Sequence, residues 1–418
     1  MLKNNYICAL DIGSSKIACC LATIKRQRIE SIFFDTVLVK GIRQGGIVDS
    51  IELVNAITKL LKSLKVKSGL KIESVNINLS GQDITTKHSR AIIPLAERGN
   101  KVIGPLDIQR VNDQARVLGS SLQEEIIHTI PFGYSIDSKS NIMNPAGLYS
   151  HKLEVDLYLI CGRLSSVQSF SRAINQSGCT VKRMIFSGLA TSKVILNPDY
   201  KEGLNLFCDI GADVTQILFF NNGCLRDVEI LSVGGDNLTA QLSDTLKIPF
   251  DLSEDIKRSH GMITDLAMIR DDKEILVKKS SSYKPIKQKA VIESLLLSSR
   301  LLCNQIKEAI EKKVSSYQVN NLIVAGRTVL LEGFIESLEN TLSIPVRLGR
   351  IEDEQVLGAT KELQECSSLK YLTYLTSLGM VSFALEKEPC VSVFKKVTNK
   401  NIFKKTVDRF REVYQEYF

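Results

Sequence analysis

Two short segments carry the residues best suited to holding an anion. Cys8-Ala9-Leu10-Asp11-Ile12-Gly13-Ser14-Ser15-Lys16 and Leu206-Phe207-Cys208-Asp209-Ile210-Gly211-Ala212-Asp213-Val214-Thr215 share one pattern. An apolar run ends in Asp-Ile-Gly, and small or polar residues follow. The two lie nearly half of the 418-residue chain apart. A glycine after a strand lets the backbone approach a phosphate, because no Cβ stands in the way. Backbone amides and the Ser14 and Ser15 hydroxyls suit phosphate oxygens, and Lys16 suits their charge. Asp11 and Asp209 suit a hydrated magnesium ion held through water rather than directly. Either segment alone reads equally well as a hairpin turn. Their recurrence predicts a duplicated nucleotide-binding core with two loops facing each other across a cleft, Thr215 supplying a hydroxyl from the second.

Further segments suit the rest of a nucleotide. Gly234-Gly235-Asp236-Asn237 permits close approach to ribose and phosphates, or is a plain strand-to-helix turn. Glu254 and Lys257 share a helix face, where they reach a ribose and an adenine edge or form a surface ion pair. None of the ten cysteines forms a two-residue-spaced pair, and the four histidines are scattered, so no direct metal site is expected.

These residues must be placed by strands and helices. Tyr6 to Leu10 and Ile17 to Ile24 predict a hairpin about the first turn, with a third strand at Phe33 to Val39. Ile51 to Leu64 has helical spacing, capped by Asp49 or Ser50. Val75 to Leu79 alternates as a strand. From about 84 to 162 the pattern changes to a small α+β unit, with strands at Ile84 to Ala91 and Leu153 to Cys161 and a helix at Leu106 to Leu118. Val167 to Gln176 resumes the parent domain. Leu204 to Cys208, Gln216 to Phe220 and Leu225 to Leu231 repeat the opening. Residues 251–300 read as lysine-rich and partly irregular, and Asn321 to Gly326 as a last buried strand.

Composition bounds the class. Hydrophobic content of 44% and charged content of 24% are globular, and the length predicts two or more domains. A net charge of +8 permits an anionic partner. With no tryptophan and 6% aromatics, stacking platforms for nucleic acid are scarce, and none is expected as partner. Buried-type cysteines, no signal-like start and no apolar run of about 18 residues predict a cytoplasmic protein.

The chain resembles the actin-like ATPases, and among them the FtsA family of bacterial cell-division proteins. The resemblance rests on Leu10 to Ala18, Lys40-Gly41-Ile42-Arg43-Gln44-Gly45-Gly46-Ile47-Val48-Asp49, Val75 to Gly81, Phe186 to Ser192, Val233 to Thr239, Ile256 to Gly261 and the terminal helix. It implies an α/β fold of duplicated, actin-like ribonuclease-H-type domains with a small inserted α+β subdomain. It implies ATP in the cleft, with Asp11, Gly13, Ser14, Ser15, Lys16, Asp209, Gly211, Thr215, Gly234, Gly235, Asn237, Glu254, Lys257, Gly326 and Arg327 around it, and Mg through water. The resulting division is 1–83 with 163–196 as the first core domain and 84–162 as a self-association insert. Residues 197–231 with 301–386 form the second core domain, and 232–300 a second-lobe subdomain facing FtsZ.

Three departures from the family pattern stand out. The second loop reads Asp209-Ile210-Gly211-Ala212-Asp213-Val214-Thr215-Gln216 where relatives read Asp-x-Gly-Gly-Gly-Thr-x-Asp. Ala325-Gly326-Arg327-Thr328 replaces a Gly-Gly adenosine loop, with Arg327 stacking on adenine or pairing outward. Ser294-Leu295 replaces a Pro-Arg on the face thought to receive the FtsZ tail. The first two bear on hydrolysis more than on binding, so ATPase turnover is expected to be weak or absent.

The C-terminal residues predict a linker at 387–400 and a helix at 401–418. Phe403, Val407, Phe410, Tyr414 and Tyr417 recur at spacings of three and four, with Phe418 flanking them. Lys404, Lys405, Arg409 and Arg411 fall mainly on the other face. Such a helix either docks on its own protein or lies in a membrane interface, and the linker and clustered cations favour an anionic membrane surface. The leading expectation is a septal, peripheral membrane filament protein that binds FtsZ, itself and other division proteins. A catalytic actin-fold ATPase or small-molecule kinase is the alternative.

Overall fold

Tyr6–Ile12 is apolar on both faces because it lies at the centre of a five-stranded sheet, buried from Ile7 to Leu10. The computed structural model describes residues 6–386 apart from 97–98, 138, 197–199, 201, 270–272, 280–281 and 361–368. The sheet order is Thr180–Phe186, Ser74–Leu79, Tyr6–Ile12, Lys16–Lys25, Arg28–Leu38. The last three pair antiparallel and the first three parallel. Parallel neighbours require a crossover, supplied by helix α1 (Ser50–Ser68). Asp49 caps it by accepting the Ile51 and Glu52 amides, and Leu53, Ile57, Leu60 and Leu64 put one stripe into the core.

The insert is a four-stranded sheet, ordered Lys139–Ile142, Glu124–Ile136, Lys152–Arg163, Ile84–Pro94, with helix α2 (Pro105–Gly119) on one face. It has its own core around Ile93, Val111, Leu157 and Leu159. Its strand Glu124–Ile136 escaped the sequence reading. Helix α3 (Leu164–Gln176) returns to the first lobe, and helix α4 (Ser187–Ile195) follows, buried along its whole length. The insert is keyed into both lobes. Buried His128 accepts the Phe186 amide at 2.9 Å through Nε2, and burial pulls its pKa down to about 4, which keeps the ring neutral for that role. Arg226 of the second lobe donates to the Phe132 carbonyl at 2.8 Å, and Tyr158 donates to Asp227 at 3.2 Å.

The second lobe repeats the first. Its sheet order is Cys224–Leu231, Thr215–Asn221, Leu204–Ile210, Val319–Ala325, Val346–Leu348, with the same sequence of antiparallel and parallel pairs. Val346–Leu348 extends the sheet beyond Val319–Ala325, which is therefore not the last strand. Helix α5 (Gly235–Leu246) follows the glycine turn, α6 (Phe250–His260) and α7 (Gln288–Glu311) carry much of what reads as irregular, and α8 (Phe334–Leu342) completes this lobe.

Two expected boundaries are corrected. The division at 300 falls inside α7, whose Val291, Leu295, Leu302 and Ile306 enter one core together with the sheet residues Leu206 and Ile217. Residues 232–300 therefore share the core of the second sheet. Residues near the end of the expected 301–386 segment belong instead to the first lobe. Helices α9 (Glu354–Ala359) and α10 (Leu375–Leu385) follow α8 and pack on first-lobe strands, α9 on Arg28–Leu38 and α10 on Tyr6–Ile12, with Val356, Leu375, Leu378, Met380 and Val381 buried in the core that the two sheets share. An all-round apolar helix finds its free energy in the deepest available groove, here between α4 and Tyr6–Ile12. The expected linker at 387–400 and helix at 401–418 lie outside the described residues.

Candidate functional site

The two turns are copies in geometry as well as in sequence. The Gly13 amide donates to the Lys16 carbonyl at 3.0 Å, and the Gly211 amide to the Val214 carbonyl at 2.9 Å. Each turn is closed by one strand pair, Ile12 with Ile17 and Ile210 with Thr215. Ser14 thus corresponds to Ala212, Ser15 to Asp213, Lys16 to Val214 and Ile17 to Thr215. This equivalence corrects the expectation for Thr215. It is a fully buried strand residue whose hydroxyl donates to the Val233 carbonyl at 2.8 Å, so it offers nothing to a phosphate.

The loops face each other across the boundary between lobes. Ser14 Oγ donates to Asp213 Oδ1 at 2.5 Å, and the Gln44 amide donates to Asp213 Oδ2. Arg327 Nη2 crosses the other way to Ser15 Oγ at 3.0 Å. Gln82 reaches Ser232 at 2.5 Å and Lys40 reaches Asp251 at 3.0 Å from lobe to lobe. The Gln44 amide is aimed by two interlocked glycine turns. Gly45 and Gly81 have φ of +80° and +82°, and a Cβ on either would lie within 2.2 Å of the other turn's backbone oxygen.

Charge is concentrated beneath these contacts. Burial pushes the Asp11 carboxyl up to about 6, opposed by Lys16 and a hydrogen bond from Thr376. Asp11 also accepts from Asn78 Nδ2 at 2.8 Å. Burial, and then the charge of Asp11, push Asp209 up to about 7. Lys16 is pulled down to about 7 by burial and by Arg327 and Arg258, against the attraction of Asp11 and Asp209. These groups are held far from their preferred ionisation by burial and by one another. A polyanion beside Lys16 and a hydrated divalent cation between the two aspartates would restore every one of these charges. The donor set therefore fits a nucleotide with its magnesium, carried through water. Among the described residues no cluster of three or more His, Cys, Asp or Glu is placed to bind a metal directly.

The sign of this arrangement gives a first prediction. Asp209 is raised from an unfolded value of 3.8, so the native state binds the extra proton, and its stabilising effect fades as pH rises from about 4 through 7. Asp209→Asn mimics the protonated acid. Its melting temperature should exceed the parent's by about 1 °C at pH 5 and by about 3 °C at pH 8, read by calorimetry. Equal melting at both pH values would refute the buried charge.

The adenosine side is built by α5, α6 and the turn after Val319–Ala325. The Gly235 amide and the Thr328 hydroxyl both donate to the Gly211 carbonyl, at 3.0 and 2.9 Å. Asn237 Oδ1 accepts the Gly234 amide at 2.8 Å and fixes the start of α5. Glu254 and Lys257 are an ion pair at 2.6 Å, although not a surface one. Lys257 is largely buried and also donates to the Gly235 carbonyl at 2.8 Å and to Thr239 at 2.6 Å, which ties α6 to α5. The structure thus brings together both loops, Lys16, Gly234, Gly235, Asn237, Gly326 and Arg327. It adds Asn78, Gln44, Asp213, Arg258 and Thr376, which sequence reading did not single out. Asn78 had a signal in being a polar residue inside an otherwise apolar strand.

Comparison with known proteins agrees with this architecture. A family model described as the SHS2 domain inserted in FtsA matches residues 81–161, and a model of the cell division protein FtsA matches 206–376. The chain is 25% identical over 353 residues to cell division protein FtsA of Borreliella burgdorferi, covering 83% of this chain and 85% of that one. It is 22% identical over 391 residues to FtsA of Escherichia coli, covering 91% and 90%. In fold it is similar to a PilM–PilN type IV pilus biogenesis complex structure, with TM-score 0.63, 14% identity and coverage of 91% and 98%. It is also similar to MreB5 of Spiroplasma citri, in a structure bound to AMPPNP, with TM-score 0.51, 10% identity and coverage of 97% and 98%. Two FtsA-specific models in chain order, relatives matched over most of their length and a twice-repeated actin-like sheet lead to one assignment: this chain belongs to the FtsA family of cell-division proteins.

Proposed function

We propose that this chain is an ATP-binding, actin-like cell-division protein that polymerises on the inner face of the cytoplasmic membrane and anchors FtsZ at the septum. The observation that carries the reading is the pair of equivalent loops opposed across the lobe boundary, over a half-buried set of Lys16, Asp11 and Asp209 with displaced ionisation. ATP with magnesium supplies a polyanion that both lobes can grip. Ser14, Ser15 and Lys16 hold its phosphates, Asp11 and Asp209 order the water around the metal, and Gly234, Gly235 and Gly326 leave room for the nucleoside. Gln216 stands where the family pattern has an aspartate that supports the metal, and its amide is engaged with Ser187 at 2.8 Å, which supports weak or absent turnover. Nucleotide then acts by differential affinity for the closed, polymer-competent state.

The partners follow from the family and from charge. The FtsZ tail is acidic and partly apolar in the family, and the basic stretch Lys257 to Lys289 is the proposed receiving surface. Residues 401–418, with Phe403, Phe410 and Tyr414 opposite Lys404, Lys405 and Arg409, are proposed to rest in an anionic membrane interface. One such helix binds reversibly, and many on one filament bind firmly, because later contacts are intramolecular. Among the described residues no helix is long and apolar enough to cross a membrane.

Co-sedimentation with anionic liposomes tests this reading. The full chain should pellet more with MgATP than without, and should bring FtsZ with it. A chain truncated after Lys400 should stay in solution. Equal pelleting of both forms would remove the membrane role from the C-terminal residues.

A further inference from the structure

The second loop carries an anion where its copy carries a hydroxyl. By the turn geometry Asp213 corresponds to Ser15 and Val214 to Lys16, so the second loop has lost its cation position and gained a carboxylate. That carboxylate faces inward across the lobe boundary. It accepts from the Ser14 hydroxyl at 2.5 Å and from the Gln44 amide, with both oxygens used. These two donors come from different segments of the first lobe. The Gln44 amide is held by the interlocked Gly45 and Gly81 turns, so it cannot turn elsewhere without breaking them. A backbone amide and a hydroxyl converging on one point form an anion cradle, and here the anion belongs to the protein itself.

We propose that Asp213 is a built-in stand-in for a terminal phosphate. It latches the second lobe onto the first in the absence of nucleotide, and it gives the cleft a preference for nucleoside diphosphate over triphosphate. This rests on the reading of the cleft as a nucleotide site. A third phosphate competes with Asp213 for the same two donors and meets its negative charge at close range. A diphosphate stops short of that cradle and leaves the latch in place. In a cleft lacking this carboxylate the phosphate itself would bridge the lobes, whereas here it must first displace Asp213.

The test uses the full chain with Asp213→Ala and the isosteric, uncharged Asp213→Asn, each checked for parental melting. Binding of ATP and ADP with magnesium is measured by calorimetry, and hydrogen exchange is followed in the peptide spanning Gly41 to Ile47 in nucleotide-free protein. Both variants should tighten ATP about tenfold or more and ADP less than threefold. Asp213→Ala should also speed exchange of the Gln44 amide about tenfold. Equal shifts for ATP and ADP, or no gain for ATP, overturn the preference. Unchanged exchange with nucleotide still bound overturns the latch and leaves the nucleotide reading intact. If parent and variants bind neither nucleotide while exchange still responds to Asp213→Ala, the nucleotide reading falls and the latch stands. Should Asp213→Ala lose stability, Asp213→Asn alone decides, because it removes charge without removing volume.

Discussion

Gly326→Val should abolish binding of a fluorescent ATP analogue and lower the melting temperature by about 8 °C. Gly326 has φ of +92°, a region that valine essentially never occupies. A Cβ there would lie 2.2 Å from the Ile210 carbonyl oxygen and 3.0 Å from Asp209 Oδ1. Backbone strain of about 1–3 kcal/mol and a similar overpacking term add at one point. The strand Leu204–Ile210 or the turn carrying Arg327 must move, and either displacement carries Asp209 or Arg327 out of place. Gly326→Ala has the same clash and strain without the extra branches, so it should fall between the two. Parental melting and binding in Gly326→Val would show that the loop is free to rebuild, and that the close approach is not required.

Gly379→Val should have a larger effect on folding. At Gly379 helix α10 crosses α4 so closely that a Cβ would lie 1.8 Å from the Ala190 carbonyl oxygen. Neither helix can yield, since α4 is buried from end to end. Undocking α10 exposes Leu375, Leu378, Met380 and Val381, each at most 1% exposed in the fold. At about 1.5–3 kcal/mol for each large apolar side chain, that loss approaches the whole stability of an ordinary domain. The variant is expected to be largely insoluble or to melt at least 10 °C lower. Limited proteolysis should cut it near residues 369–374 under conditions that leave the parent whole. Thr376 would leave Asp11 at the same time, so any soluble fraction should bind nucleotide weakly. A stable, protease-resistant Gly379→Val would show that the crossing has slack.

The legible parts of this protein are those whose pattern is local. Cys8 to Ala18 and Leu206 to Gln216 announce two hairpins because an apolar strand, an Asp-Ile-Gly turn and a second strand are contiguous. Asp49 with its following apolar stripe announces α1 for the same reason. Glu124–Ile136 was hidden because Pro131 and Gly133 interrupt its alternation, and only pairing with Lys152–Arg163 makes it a strand. Helix α10 was placed in the wrong lobe because a helix apolar all round states that it is buried and not where. Asp213 lies in the second loop, at a position where the family pattern has glycine. It was read as an absent glycine, since the Ser14 hydroxyl and Gln44 amide that give it a role lie some 170 to 200 residues away. Thr215 failed by a single register step, because a hydroxyl in the turn and one in the following strand face opposite ways.

Where α10 ends has a mechanical consequence. Glu386 closes on the buried Lys193 of α4 at 2.7 Å, and Phe383 tilts against His128 of the insert with ring centroids 5.9 Å apart. The end of α10 is thus moored to the first lobe and its insert. Tension applied through that end is borne by α4 and by the inserted sheet. That pull also reaches the second lobe, because α4 is bonded to Gln216 through Ser187 and the inserted sheet holds the Arg226 guanidinium through the Phe132 carbonyl, so the two halves would be dragged together.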